Sequence, residues 1–245
     1  MLVLISPAKT LDFSNNLPKH LAASPPIFAK EALELVNILQ NYSAQDLSKL
    51  MSISPKLGEL NYKRFKDFSY NSRKPAIYAY KGDVYEGFEL EKYTDQDINF
   101  ANKTIRIISG LYGILNPLDL IAPYRLEMSI NLSNQSGKNL YNFWQDKLTK
   151  KLAEEEDAFI INLASQEYSS AIGKLNKKKI NIVFKEKQNN TYKIIGIHAK
   201  KARGVMANFI VLNRIQNPEK LKLFNLNGYK FIGEFSSEEE YVFVR

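Results

Sequence analysis

The apolar positions of the chain change period several times. Residues 2–6 (LVLIS) form a short, β-branched apolar run stopped by Pro7, which reads as a buried strand. The following PAKTLDFSNN (7–16) has no period and predicts a loop. Over 27–41, Ile27, Leu33, Val36, Ile38 and Leu39 recur at helical spacing. Two shorter helical patterns follow. The first, 46–51, carries Leu47, Leu50 and Met51; the second, 56–68, carries Leu57, Leu60, Phe65 and Phe68, and SISP joins them.

Beyond this helix pair the chain alternates irregularly. AIYAY (76–80) predicts a strand ending at Gly82, and TIRIIS (104–109) another, preceded by a short helix that Thr94 caps. Residues 109–128 mix glycine, proline and aromatic rings, the texture of an ordered loop that places side chains. Over 139–155, Leu140, Phe143, Trp144, Leu148 and Leu152 share a helix face. A strand is expected at 158–165, a hairpin of 180–184 and 192–199 turning through KQNNT, a helix over 201–214, and a final strand at EYVFVR. Hairpin and crossover patterns together predict an α+β (mixed α/β) fold with a mixed sheet, a single domain over 1–245 with the helix pair (44–68) inserted.

Composition narrows the chemistry. With 44% hydrophobic residues in 245, the chain can bury a substantial core. The longest apolar runs fall far short of the roughly 18 residues of a membrane span. MLVLISP is too short for a signal sequence and lacks a basic flank, so a cytoplasmic protein without a membrane partner is expected. There is no cysteine, and only His20 and His198, which excludes thiolate zinc sites and iron–sulfur clusters; no metal and no cofactor are expected. The net charge of +8 favours a polyanionic partner, although only seven of the 34 basic residues are arginine and lysine excess alone carries little.

Three segments have the residues for binding or catalysis. In GIHAKKARGVMANFI (196–210) a strand expected to end near Ala199 meets a helix, with Lys200, Lys201 and Arg203 at the turn. Cations beside a helix N-terminus oppose the helix dipole unless an anion is bound; the alternative is a solvated basic turn. In the helix pair, Ser54 suits an N-cap and Pro55 the first helical position, with Lys56 and Lys63 along the helix. This fits either a backbone-gripping helix–hairpin–helix, though without its usual glycines, or a plain αα-hairpin. The third segment brings Asp83 and Tyr85, Asp119, and Tyr124, Arg125 and Glu127, where a carboxylate is either a general base or half of a buried ion pair. Ser6 and Ser165 follow apolar runs but lack a G-x-S-x-G turn, and no nucleotide-binding glycine motif is present.

Five blocks taken in order, LVLISPAKTLD (2–12), KGDVYEG (81–87), SGLYGILNPLDLIAPYRLEM (109–128), NLASQEY (162–168) and AKKARGVMANFI (199–210), resemble the YaaA family of bacterial peroxide-stress-resistance proteins nearly end to end. The resemblance implies a cytoplasmic protein that limits peroxide damage and is associated with lowered free intracellular iron. It also implies an unusual single-domain fold with a basic cleft and a helix–hairpin–helix element, and binding to duplex or branched DNA. On that basis Lys9, Lys81, Arg125, Lys200, Lys201 and Arg203 would line the cleft, while Ser54, Lys56 and Lys63 grip backbone. Asn116 and Asn208 depart from the family pattern, each removing a cation. A non-catalytic monomer is expected; the rival reading is an enzyme on a nucleic acid or nucleotide, with Asp83 or Glu127 as acid or base.

Overall fold

The computed structural model describes residues 1–14, 22–69, 71–189 and 191–245; His20, the end of the 7–16 loop and Asn190 of the KQNNT turn lie outside them. Leu2–Ile5 (β1) is fully buried. Thr10–Leu11 (β2) leads to the helices Ala29–Leu39 (α1), Ala44–Leu50 (α2) and Pro55–Lys66 (α3). Lys74–Pro75 (β3) runs into a single helical turn, Ala76–Ala79 (α4), and then Tyr80–Lys81 (β4). Asp95–Thr104 (α5) precedes Ile105–Ser109 (β5), Gly113–Leu115 (β6) and Leu120–Ile121 (β7). Leu140–Glu154 (α6), Phe159–Asn162 (β8), Gln166–Ser169 (α7), Lys178–Gln188 (β9) and Thr191–Lys193 (β10) follow. Gly196–Leu212 (α8), Lys230–Phe231 (β11) and Glu240–Val244 (β12) close the chain.

Among the described residues the main sheet has eight strands, in the order β11-β12-β9-β8-β1-β5-β6, with β10 also paired to β9. The run from β12 to β5 is parallel; β11, β6 and β10 pair antiparallel. Parallel strands covered on both faces need continuous apolar runs. LVLI of β1 and IRIIS of β5, buried at every position, meet that need. One hydrophobic cluster joins the sheet to the helices, including Leu47, Met51 and Phe65 of the α2–α3 pair, so the pair belongs to the same body. No helix among the described residues is long and apolar enough to cross a membrane.

The segment 109–128 is more structured than a loop. It holds β6 and β7, is buried at most positions, and is pinned where the Trp144 indole donates to the Gly110 carbonyl at 2.8 Å. Thr94 does cap α5, within a full capping box with Asp97. Three expectations fail, the first being the loop at 7–16, where Thr10–Leu11 is a two-residue strand paired antiparallel with Tyr80–Lys81. AIYAY is not a strand: Ala76 and Ile77 donate their amides to the Asp119 and Pro117 carbonyls, which bends 76–79 into a helical turn and leaves only Tyr80–Lys81 extended. The second hairpin strand stops at Lys193, and α8 begins at Gly196, five residues before the expected 201. Ile194 and Ile197, which made 192–199 look like a buried strand, are both exposed.

Candidate functional site

The next main-sheet strand after β1 is β5 on one side, whereas β8, its neighbour on the other side, is followed by β9 still farther away. In parallel sheets such a reversal opens a crevice beyond the carboxyl ends of the two strands, a position where ligands bind. A cavity of about 270 Å³ lies there. Its walls are residues 6–10 after β1, 81–85 after β4, several of 163–168 after β8, and Lys200 and Arg203 of α8.

Backbone chemistry holds these walls together. Ser6 Oγ accepts the Ser165 amide at 2.8 Å, which stitches the two strand ends, and the Tyr85 hydroxyl donates to the Ser6 carbonyl at 3.1 Å. The turn at 84–87 meets α8 so closely that a Cβ on Gly204 would sit 1.9 Å from the Val84 carbonyl oxygen. A Cβ on Gly87 would lie 2.5 Å from the Gly204 carbonyl carbon. These two glycines let one wall be laid directly on the other.

The cavity draws Lys9, Lys81, Lys200 and Arg203 from three distant parts of the sequence, alongside the carboxylates of Asp83 and Glu167. Lys9 Nζ lies 3.3 Å from Glu127 Oε1, and Lys81 Nζ 3.6 Å from Asp12. Arg125 is not in the lining but joins it through Glu127, donating from Nη2 at 2.9 Å and from Nε at 3.1 Å to the same Oε1. Glu127 is buried and tied by two cations, the ion-pair reading of that motif. Burial of Tyr124, whose hydroxyl sits 2.6 Å from that of Tyr80 and 2.7 Å from Ser109 Oγ, raises its pKa and fixes the chain just ahead of Arg125.

Arg203 and Lys200 differ from these pairs: neither has a carboxylate in ion-pair range among the described residues. Arg203 is half-buried, its Nε is shut off from solvent without a hydrogen-bond partner, and desolvation lowers its pKa. Asp83 likewise has no partner among the described residues, while Glu167 accepts from the Ser129 amide at 3.2 Å and hydroxyl at 2.9 Å.

The placement of the basic run differs from the sequence-based expectation. Lys200, Lys201 and Arg203 lie inside α8, past its first turn, so they do not surround free amides at a helix start. Lys201 leaves the cavity and lies 3.8 Å from Glu86. Asn116 and Asn208, expected as departures from the family pattern, both have local structural work. Asn116 donates its backbone amide to buried Asp119 at 2.8 Å. Asn208 Oδ1 accepts from the Tyr93 hydroxyl at 2.7 Å.

Ser54, Lys56 and Lys63 form a second group, outside the cavity lining. Ser54 Oγ accepts the Leu57 amide at 3.4 Å and Pro55 opens α3, as their order predicts. Ser52, Ser54, Pro55 and Lys56 face solvent. Ser52 takes the left-handed backbone (φ 50°) that a hairpin glycine would otherwise supply. Lys63 is exposed and pairs with Glu59 at 3.4 Å, one turn back on α3. Sequence reasoning gave no individual role to Glu167 and Tyr168; their signals are their place in the NLASQEY block and their position just beyond an apolar strand, in line with Ser6 beyond β1.

Comparison with known proteins agrees over the whole chain. A family model described as Peroxide stress protein YaaA matches residues 1–234. A UPF0246 protein of Acaryochloris marina (strain MBIC 11017) is 47% identical over 253 residues, covering 100% of both chains. A UPF0246 protein of Rickettsia rickettsii (strain Iowa) is 47% identical over 251 residues, again covering 100% of both. The chain that builds this cavity belongs to the YaaA family of peroxide stress proteins.

Proposed function

We propose that the protein acts in the cytoplasm in peroxide stress as a non-catalytic, monomeric DNA-binding protein, holding duplex or branched DNA by its phosphates. The observation that carries this reading is the gathering of Lys9, Lys81, Lys200 and Arg203, with Arg125 behind Glu127, at one end of the sheet. Such a positive surface draws a polyanion, and phosphate contacts position it without reading sequence. The exposed joint of α2 and α3, with Ser54 and Lys56, is the second contact, and Lys63 extends it along α3. An effect on free iron, which the family resemblance implies, would in this reading be indirect.

The joint is tested by fluorescence anisotropy on a short duplex with 5′-hydroxyl ends. Lys56→Glu should weaken binding roughly five- to tenfold at 0.1 M salt, the share of one phosphate contact. Unchanged affinity would reduce the pair to an ordinary αα-hairpin.

One observation favours an enzymatic reading in a narrower form. Asp83 stands in the cavity with no ion-pair or hydrogen-bond partner among the described residues, whereas Glu127 is held by Arg125 and Lys9. Of the two candidate acid–base groups, Asp83 has neither oxygen engaged among the described residues, while Glu127 has Oε1 held by both cations and only the buried Oε2 without a hydrogen-bond partner. Purified protein incubated with DNA and with nucleotides in the presence of magnesium or manganese should show no turnover. Cleavage that is abolished in Asp83→Asn would replace the binding reading with the enzymatic one.

A further inference from the structure

We propose that the cavity between the ends of β1 and β8 is a binding site for a single phosphomonoester dianion, held between Lys200 and Arg203. This goes beyond DNA-backbone binding: the ligand is a small phosphorylated molecule or the phosphorylated end of a strand, and the site stands whether or not an unphosphorylated duplex binds.

Three independent observations lead to it. The first is position. The cavity sits where the sheet connections diverge, between two adjacent parallel strands, with residues 6–10 and 163–168 continuing directly from the strand ends. That crevice is the ligand position of parallel α/β sheets. The second is size. At about 270 Å³ the cavity falls just below the roughly 300–1,000 Å³ of small-molecule sites, so one small group enters it, whereas a duplex would meet only the exposed Lys9, Lys81 and Lys200.

The third is uncompensated charge. A cation withdrawn from water without a partner is costly, and folded proteins pair such groups. Arg203 has a solvent-inaccessible Nε with no acceptor and no carboxylate within ion-pair range among the described residues, yet it lines open space. The lining carries four cations and two carboxylates, a formal surplus of two positive charges. The groups just behind it do not change that surplus. Glu127, paired with Lys9, is matched by Arg125, and Asp12, paired with Lys81, is matched by Lys74. A phosphomonoester carries about −1.5 to −2 at pH 7 and offers three acceptor oxygens, whereas a backbone phosphodiester carries one negative charge. Guanidinium groups match such oxygens with paired donors. The charge, the donor type and the volume therefore select a monoester over a diester.

The probes are inorganic phosphate, a 5′-mononucleotide, its nucleoside and dimethyl phosphate, titrated into the full chain at pH 7.5 by calorimetry and thermal unfolding. At ten times Kd, phosphate and the mononucleotide should raise Tm by about 3–6 °C, with no shift from the nucleoside or dimethyl phosphate. Arg203→Met should weaken phosphate binding on the order of 10- to 100-fold while leaving the ligand-free Tm equal to or above wild type, because a half-buried cation whose Nε has neither water nor acceptor has been removed. Lys200→Gln, at an exposed position, should weaken phosphate binding without a change in Tm and serves if Arg203→Met does not fold.

No response to phosphate or mononucleotide, or a response equal for dimethyl phosphate, overturns the proposal. So does an Arg203→Met protein that folds, loses stability and keeps its phosphate affinity. Duplexes with 5′-phosphate and 5′-hydroxyl ends separate the two sources: tighter binding of the phosphorylated end identifies a strand terminus, and equal binding with a mononucleotide response identifies a free metabolite. The 5′-hydroxyl duplex also keeps the readings apart, since DNA binding that persists without a phosphate response defeats only the monoester site.

Discussion

Gly204→Ala is expected to lower Tm by about 6–12 °C, the reverse of what the same substitution does in most helices. In a helix interior alanine is favoured over glycine by roughly 1 kcal/mol, and at unstrained sites it stabilises through the unfolded chain. Here the new Cβ would lie 1.9 Å from the Val84 carbonyl oxygen and 2.8 Å from its carbon. Those are backbone atoms, so no side-chain rotation relieves the clash. Overpacking costs about 1–3 kcal/mol when side chains can adjust, and a clash with the fixed Val84 backbone puts this case above that range, at about 4 kcal/mol. After subtracting the propensity gain, a net loss of about 3 kcal/mol remains, and at about 2–4 °C per kcal/mol for a domain of this size the Tm shift follows. The consequence reaches function, because residues 81–85 and α8 are opposite walls of the cavity. Thermal unfolding of Gly204→Ala measures it directly. A Tm at or above wild type would mean that the turn at 84–87 is not seated on α8.

The same contact shows why part of the site was hidden in the sequence. Elements with a single strong period were legible. Leu140, Phe143, Trp144, Leu148 and Leu152 are all buried on α6, and LVLI is a central strand. The caps were legible for the same local reason: Ser54 and Thr94 each bond the third amide of the helix they begin. What failed depended on partners far along the chain. AIYAY has strand composition, but the carbonyls of Pro117 and Asp119 capture its amides. GIHA resembles the end of a strand because Ile194 and Ile197 are apolar, and only the fold shows that both are exposed while Ala199, Ala202 and Met206 face the core. That error in the start of α8 moved Lys200, Lys201 and Arg203 from a turn into a helix. It also made their shared sequence position misleading, since Lys200 and Arg203 line the cavity and Lys201 pairs with Glu86 outside it. The family blocks were visible in order, but their meeting at the ends of β1 and β8 required the strand order β9-β8-β1-β5.

The combined variant Lys9→Gln/Lys81→Gln/Lys200→Gln is expected to weaken binding to an unphosphorylated duplex by on the order of 10²–10³-fold at 0.1 M salt. Each lysine that neutralises a phosphate releases condensed counterions, so log K falls with log salt by about 0.9 per contact, and three lost contacts flatten the slope by up to about 2.7. The loss should be nearly equal for duplexes of unrelated sequence, because backbone contacts carry no base information. All three side chains are exposed. Their removal should cost little stability: surface ion pairs contribute about 0–1 kcal/mol, and Glu127 keeps Arg125 when Lys9 is lost. Anisotropy titrations between 50 and 200 mM salt, beside a thermal unfolding curve, separate weak binding from poor folding. A folded variant with the wild-type slope would remove the cavity from the DNA interface and leave the α2–α3 joint as the backbone contact, in which case Lys56→Glu alone should carry the larger loss.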